Sequence, residues 1–130
     1  MNMIGVDVVC IPKFAAVIEG KRGASVLRSI FSDSEIAECD NADRRIVLRS
    51  LAGRFAAKEA VIKASRSRLS IDDMTTIHVI QEFSGCIRAV AEKDGTRSEL
   101  YDVSISHDGD YAVSVALAVG GSVLREDARA

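Results

Sequence analysis

Apolar and polar positions alternate differently in the two halves of the chain. The first half shows mostly helical spacing after one short apolar, β-branched run, and the second half shows the two-residue alternation of strands. The first half predicts a strand over residues 3–9 and helices over 12–20, 24–39 and 44–66. Ser32 and Glu35 form a capping box, which indicates that a new helix begins at Asp33. The apolar stripe of the longest helix consists of Leu48, Leu51, Phe55 and Ile62.

The second half predicts strands over residues 77–81, 87–92, 100–107 and 111–119. Asp108 and Gly109 are the pair that a tight hairpin turn prefers, and Asp94 and Gly95 form a second such pair. This order of elements predicts an α+β fold, with one long central helix and shorter N-terminal helices packed on a mainly antiparallel sheet. We expect a single domain over residues 1–121 and a frayed polar tail, with the last strand ending near residue 119.

The last predicted strand has two apolar faces of different size. One face carries Tyr111, Val113, Val115, Leu117 and Val119, and the other carries Ala112, Ser114, Ala116 and Ala118. An exposed face would normally be charged, so both faces require cover. We expect the large face to pack inside the chain and the small face to pack against other copies.

Composition narrows the class of protein. The chain has 130 residues, of which 48% are hydrophobic and 28% are charged, as in globular domains. Its net charge of −2 argues against general nucleic-acid binding, and we expect no membrane span because no apolar run is long enough. Cys10, Cys39 and Cys86 lack metal-type spacing and cannot pair completely, which predicts reduced thiols in the cytoplasm and no zinc site.

The central helix combines small apolar residues with four charges. Arg54, Lys58, Glu59 and Lys63 all lie in the segment RFAAKEAVIKA, residues 54–64. Helical spacing places Ala52, Ala56, Glu59 and Lys63 in one row, where small side chains would let another body approach closely. The simpler alternative is a solvated ion-pair face on a surface helix.

Asp7 interrupts the apolar N-terminal strand. An unpaired buried carboxylate costs several kcal/mol, so we expect Asp7 to lie at the strand end or to meet a cation. It lies too early to cap a helix that begins near Pro12, which favours a role as a ligand. His107, beside the Asp108-Gly109 turn, would by itself be weak evidence for a site.

Three motifs together resemble the holo-(acyl-carrier-protein) synthase type of 4′-phosphopantetheinyl transferase. They are GVDVVCI at residues 5–11, LAGRFAAKEAVIKA at 51–64 and SISHDGDYA at 104–112, and the resemblance covers residues 4–119. It implies transfer of phosphopantetheine from coenzyme A to a serine of an apo carrier protein, releasing adenosine 3′,5′-bisphosphate. The chain departs from the family pattern at Phe55, where tryptophan is usual, at SRSRLS over 65–70, where glycines are common, and at Gly85-Cys86-Ile87, where Gly-Lys-Pro is common.

The resemblance also implies roles for particular residues. Asp7 and Glu59 would bind Mg²⁺, and Lys63 would neutralise the pyrophosphate charge. Arg54, Ser106, His107 and Gly85 would contact coenzyme A, with Arg54 and His107 on the phosphates of its adenosine half. The base stays open between Glu59 itself and a water that Glu59 or Asp7 orients.

Two partners follow from the same resemblance. The basic residues Lys13, Lys21, Arg22 and Arg28 would receive the acidic recognition helix of the acyl carrier protein, although an ordinary solvated helix face is the simpler reading. The family also implies a homotrimer with sites between subunits, which would bring His107 toward the neighbour's Asp7, Glu59 and Lys63. Two rival functions remain: a silent module that only binds coenzyme A or a carrier protein, and a transferase dedicated to a polyketide or peptide synthase carrier.

Overall fold

The computed structural model describes residues 3–93 and 97–123. Within them the elements are, in chain order, β1 Ile4–Cys10, α1 Ile11–Ile18, α2 Gly23–Ile30, α3 Asp33–Glu38, α4 Arg44–Ala64, a 3₁₀ helix Ile71–Thr76, β2 Ile77–Gln81, β3 Ile87–Lys93, β4 Arg97–Asp108 and β5 Tyr111–Val123. The strands of the described residues form one five-stranded antiparallel sheet in the order β1-β5-β4-β3-β2. The predicted α+β class is therefore confirmed.

Side-chain caps explain where two of the helices begin. The Ser32 hydroxyl accepts a hydrogen bond from the Glu35 amide at 3.3 Å, and the Ser32 amide donates to the Glu35 carboxylate at 3.0 Å. This capping box starts α3 at Asp33, as predicted, and separates it from α2. The Asp43 carboxylate accepts from the Arg45 amide at 2.9 Å, which sets the start of α4 at Arg44.

The strand ends differ from the sequence prediction. β5 continues to Val123, so the expectation that the strand ends near residue 119 is wrong. The reason is pairing, because β4 begins at Arg97 and its first residues lie opposite the end of β5, with Ser98 across from Val123. The predicted Asp94-Gly95 turn and residues 124–130 lie outside the described residues.

The helix α4 packs very closely on the sheet. Its residues Ala56, Ala57, Ala60 and Ala64 are fully buried. A Cβ atom at Gly5 would collide with the carbonyl oxygen of Ala60, so only glycine permits β1 to cross α4 at this distance.

This close packing reverses the expected roles of the two faces of β5. The small face, formed by Ala112, Ser114, Ala116 and Ala118, is buried within the chain. Only small side chains fit between α4 and the sheet, so the large face is turned away from the helix. The outer apolar face of the sheet combines large residues of β5 and of its neighbour β1. They are Ile4, Val6, Val8, Tyr111, Val115 and Leu117, and each side chain is exposed by a third or more. The face that lacks cover is therefore the large one.

Candidate functional site

Asp7, Glu59 and Lys63 lie together at one edge of α4. The Lys63 ammonium donates to the Asp7 carboxylate at 3.0 Å and to the Val6 carbonyl oxygen at 3.0 Å. Asp7 and Glu59 both line a cleft of about 570 Å³ between β1, α1, α2 and α4, whose other walls are mainly apolar. Asp7 thus meets the cation that its position in an apolar strand requires.

The two carboxylates raise the cost of negative charge in this cleft. Burial raises the pKa of Glu59 above its ordinary value, and the nearby Asp7 carboxylate raises it further, while Lys63 acts in the opposite direction. Asp7 lies directly opposite Ser114 on the inner face of the sheet, so its side chain points toward α4. The cluster therefore favours the approach of a further cation.

We predict that single substitutions shift the pKa of Glu59 in opposite directions. Without metal, Asp7→Asn should lower it, because a repelling charge is removed, and Lys63→Met should raise it. A raised folded pKa contributes stability below the ordinary glutamate pKa and loses it as pH rises through the raised value, so the fold should be slightly favoured by acidification in this range. NMR titration of the Glu59 side-chain carbon in each variant measures the shift, and unchanged values in both variants would mean that the three groups do not interact.

Lys58 does not share the surface with Glu59. It is fully buried, and its ammonium donates to the Glu35 carboxylate at 2.6 Å and to the carbonyl oxygens of Ile30 at 2.7 Å and Met74 at 3.0 Å. Burial is the main reason why the pKa of Lys58 lies below its ordinary value. This lysine joins α2, α3, α4 and the 3₁₀ helix.

The two alanines of the row predicted on the central helix are covered by the chain itself. Ala52 and Ala56 are fully buried, in a core cluster that includes Val9 and Ala112. These two small residues of α4 therefore allow the chain's own sheet, and not a partner molecule, to pack closely on the helix. Since Lys58 points inward while Glu59 and Lys63 line the edge near Asp7, the charged segment is not a single solvated face either.

Arg54 and His107 line a second cavity, of about 290 Å³, on another side of α4. The Arg54 guanidinium donates to the Glu38 carboxylate at 2.9 Å and to the Val79 carbonyl oxygen at 3.3 Å. His107 Nε2 lies 3.0 Å from the Arg49 carbonyl oxygen. A Cβ at Gly53 would lie 3.0 Å from that ring nitrogen, so Gly53 lets the helix approach the histidine.

The structure does not bring Ser106 or Gly85 into either cavity. Ser106 is exposed and lies on the opposite face of β4 from His107, since neighbouring residues of a strand alternate between faces. Gly85 lies in the turn between β2 and β3 with φ +91°. Within one chain, the residues assigned to coenzyme A are therefore dispersed.

The four basic residues expected to bind the carrier protein also lie in different places. Lys13 lines the same cleft as Asp7 and Glu59, and Arg28 lines an adjoining groove of about 650 Å³. The cleft and the groove share the apolar residues Val26, Ile30 and Phe55, so they form one continuous surface. Each of the two parts carries one of the basic side chains. Lys21 and Arg22 are exposed in the connection between α1 and α2 and line neither.

The connection after α4 contains two residues in the left-handed region. Arg66 has φ 55° and Ser67 has φ 72°. Glycine adopts this conformation without strain, which agrees with the glycines that the family commonly carries here. The SRSRLS segment over 65–70 therefore lacks glycine, although two of its residues have backbone angles that glycine adopts most easily.

Comparisons with known proteins agree on one family. The profile of the 4′-phosphopantetheinyl transferase superfamily matches residues 3–116. The holo-[acyl-carrier-protein] synthase from Micrococcus luteus is 33% identical to the chain, and the match covers 96% of the chain and 97% of that protein. The one from Desulforudis audaxviator is 34% identical, and the match covers 92% of the chain and 93% of that protein.

Solved structures support the same relationship. A Chronobacterium ammoniagenes ACPS–coenzyme A complex has a TM-score of 0.74 at 28% identity, covering 92% of this chain and 97% of that one. The Helicobacter pylori holo-[acyl-carrier-protein] synthase in complex with coenzyme A has a TM-score of 0.72 at 26% identity, covering 90% and 100%. With an α+β fold that carries two carboxylates and a lysine at one edge of its long helix, the chain belongs to the 4′-phosphopantetheinyl transferase superfamily.

A separate observation concerns membranes. No helix among residues 3–93 and 97–123 combines the length and apolar character of a transmembrane span.

Proposed function

We propose that this chain is a holo-(acyl-carrier-protein) synthase, which transfers 4′-phosphopantetheine from coenzyme A to a serine of an apo acyl carrier protein. Adenosine 3′,5′-bisphosphate is the second product. The observation that carries this proposal is that Asp7 and Glu59 line one cleft, with the Lys63 ammonium bonded to Asp7. Two acids and a cation are the groups that transfer of a phosphoryl centre to a hydroxyl requires.

The donor set of this cleft fits Mg²⁺. Magnesium binds one or two protein carboxylates and completes its octahedron with phosphate oxygens and waters. Burial raises the pKa of Glu59 and the nearby Asp7 carboxylate raises it further, so a cation between the two acids would be favourable. Asp7 and Glu59 would hold the ion, which when bound would offset the negative charge of the pyrophosphate. Among the described residues, no third histidine, cysteine or carboxylate joins them.

The side chains of the cleft have distinct tasks. Lys63 supports Asp7 and offers its ammonium to the pyrophosphate as charge develops on the leaving phosphate. The serine proton has two routes compatible with this geometry: Glu59 accepts it directly, or a water oriented by Glu59 or Asp7 does.

The outer apolar face supports a homotrimer. Ile4, Val6 and Val8 on β1 continue directly into Val115 and Leu117 on β5, so a contiguous apolar surface lacks cover within the described chain. A closed cyclic assembly would bury this face without polymerisation. It would also let a neighbour supply His107 to the cleft that Asp7 and Glu59 line, because within one chain His107 lines a separate cavity.

We predict that two inactive variants complement each other. Mixed trimers of Glu59→Gln and His107→Ala chains should regain part of the wild-type activity, since some interfaces then contain both intact residues. Native mass spectrometry verifies that the trimers are mixed, and a Glu59→Gln/Lys63→Met mixture serves as the control that should stay inactive. If verified mixed trimers show no recovery, His107 acts in its own chain's site.

We predict that the cationic edges of the cleft and groove steer the carrier protein. Lys13→Glu and Arg28→Glu should raise KM for the carrier about tenfold while changing KM for coenzyme A little, because charges at the rim mainly guide encounter. The effect should grow at low salt and shrink at high salt. Arg88→Glu, on β3 and outside this surface, is the matched control. A loss confined to turnover would place Lys13 and Arg28 outside the carrier interface.

We propose a cytoplasmic setting, which the thiols support. Cys10, Cys39 and Cys86 are all free, and Cys39 is buried with a pKa raised mainly by that burial. Free thiols favour the cytoplasm, where carrier proteins and coenzyme A are also available.

A further inference from the structure

A buried hydroxyl without a partner lies beside the acidic cluster. The side chain of Ser114 on β5 is fully buried. Among the residues that the structure describes, its hydroxyl oxygen is the one buried side-chain nitrogen or oxygen that makes no hydrogen bond. Leaving a buried hydroxyl unpaired costs free energy, so a group of this kind in a folded protein calls for an explanation.

Packing does not explain why position 114 carries a serine. Ser114 lies between Ala112 and Ala116 on the inner face of β5, and both alanines are fully buried members of the apolar core. An alanine would fill nearly the same space without the cost of an unpaired hydroxyl. The hydroxyl therefore points to a role toward a polar group at the edge of this core.

Asp7 is the acceptor that the sheet register offers to Ser114. The two residues are directly opposed on the antiparallel strands β1 and β5, so their side chains lie on the same face. Opposed Cβ atoms lie about 4.5–5.5 Å apart, a separation that a carboxylate and a hydroxyl can bridge by rotation about their side-chain bonds. On the other side, β4 places Ile105 opposite Ser114, and its side chain has no acceptor.

The Asp7 carboxylate is turned toward Lys63 in the structure. Its Oδ1 accepts from the Lys63 ammonium at 3.0 Å, and the Lys63 side chain is half-exposed. A long exposed side chain of this kind exchanges partners at little cost. In the proposed reaction Lys63 offers its ammonium to the pyrophosphate, so Asp7 would lose the donor that holds it while transfer takes place.

We propose that Ser114 is a positioning residue whose hydroxyl donates a hydrogen bond to the Asp7 carboxylate when Lys63 moves away. This role in transfer rests on the proposed function. A carboxylate has two oxygens, so one can accept from Ser114 while the other faces a cation in the cleft. Carboxylates that bind a metal ion are commonly held by such hydrogen bonds. Ser114 takes no part in the chemistry and fixes the orientation of the acid.

A double-mutant cycle tests the hydrogen bond without reference to activity. The Tm values of Ser114→Ala, Lys63→Met and the double variant are measured at one protein concentration. Ser114→Ala should leave the Tm of the wild type unchanged or slightly higher, because it removes an unpaired hydroxyl. It should lower the Tm of Lys63→Met by about 5 °C, because Asp7 then depends on Ser114.

A second lysine provides the control for this cycle. Lys21 is exposed in the connection between α1 and α2, and in a Lys21→Met background Ser114→Ala should have the same effect as in the wild type. If Ser114→Ala changes the Tm equally in the wild type, Lys63→Met and Lys21→Met, Ser114 does not hold Asp7 and the proposal is overturned.

Turnover shows whether the hydrogen bond serves the reaction. With Mg²⁺ in excess, Ser114→Ala should lower kcat about tenfold and change KM for coenzyme A little, because the bond forms only as Lys63 leaves Asp7. Ser114→Cys keeps a weaker donor and should lose less. A serine with a purely structural role would not lose turnover in a variant of unchanged or higher Tm. Unchanged kcat in Ser114→Ala would overturn the positioning role and leave the transferase proposal intact, whereas wild-type protein that modifies no carrier would overturn both.

Discussion

Glu59→Gln should reduce phosphopantetheinyl transfer by about 10²- to 10⁴-fold without disturbing the fold. The substitution keeps the shape of the side chain but removes the charge that, in the proposed mechanism, would hold Mg²⁺ and would receive or direct the serine proton. Glu59 is the only carboxylate of α4 and lines the cleft with Asp7, so no other side chain of this helix can replace it. The measurement is the rate of carrier modification over a range of magnesium concentrations.

Controls decide whether this loss is local. Thermal unfolding of Glu59→Gln should match or exceed that of the wild type, because the ionised Glu59 is already disfavoured by burial and by Asp7. Glu92→Gln, an exposed glutamate on β3, should retain full activity. A wild-type rate in Glu59→Gln at every magnesium concentration would exclude Glu59 as ligand and as base.

Lys58→Met should destabilise the protein by about 3–5 kcal/mol, the range for a buried ion pair that loses one partner. The substitution leaves the Glu35 carboxylate and the carbonyl oxygens of Ile30 and Met74 without the ammonium that they share. It also removes the contact of the ammonium with the Phe31 ring, whose centroid lies 5.1 Å away. Urea unfolding followed by circular dichroism measures the change in the free energy of unfolding.

A matched variant distinguishes the buried pair from an ordinary charge. Lys63→Met makes the same chemical change at a half-exposed lysine and should cost clearly less than Lys58→Met, because Asp7 lines an open cleft where water can replace the lost ammonium. The double variant Lys58→Met/Glu35→Met should recover part of the lost free energy of unfolding, since no unpaired charge then stays buried. The recovery should be incomplete because the Val79 amide loses its contact with the Glu35 carboxylate. Equal losses in Lys58→Met and Lys63→Met would show that the buried pair has no special role.

The sequence predicted the long helix, the strands and the contact of Asp7 with a cation, but it missed the 3₁₀ helix Ile71–Thr76. Alternation, capping and turn residues predicted the strands and helices, and an isolated acid in an apolar strand predicted that Asp7 meets a cation, which proved to be Lys63. The buried role of Lys58 was missed. Its position held a signal, because it falls in the same helical stripe as Leu51, Phe55 and Ile62, which faces the core.

Other features depended on distances between elements. The two faces of β5 were assigned the wrong way round, because the larger residues were expected to form the core. The close crossing of α4 over β1 at Gly5 decides the matter, since it leaves room only for alanine and serine. Local pattern specifies that a strand has two apolar faces, but the separation of helix and sheet determines which one is buried. The continuation of β5 to Val123 likewise depends on pairing with β4.

The central claim is tested most directly by the mass of a carrier protein after incubation with the chain. Apo acyl carrier proteins from fatty-acid, polyketide and peptide synthesis are each incubated with the enzyme, coenzyme A and Mg²⁺, and intact masses are measured by mass spectrometry. We expect at least one carrier to gain a single 4′-phosphopantetheine group, with an equal amount of adenosine 3′,5′-bisphosphate released, and a carrier whose acceptor serine is replaced by alanine to gain none. Folded enzyme that binds coenzyme A but adds no mass to any apo carrier would contradict transfer and favour a module that only binds.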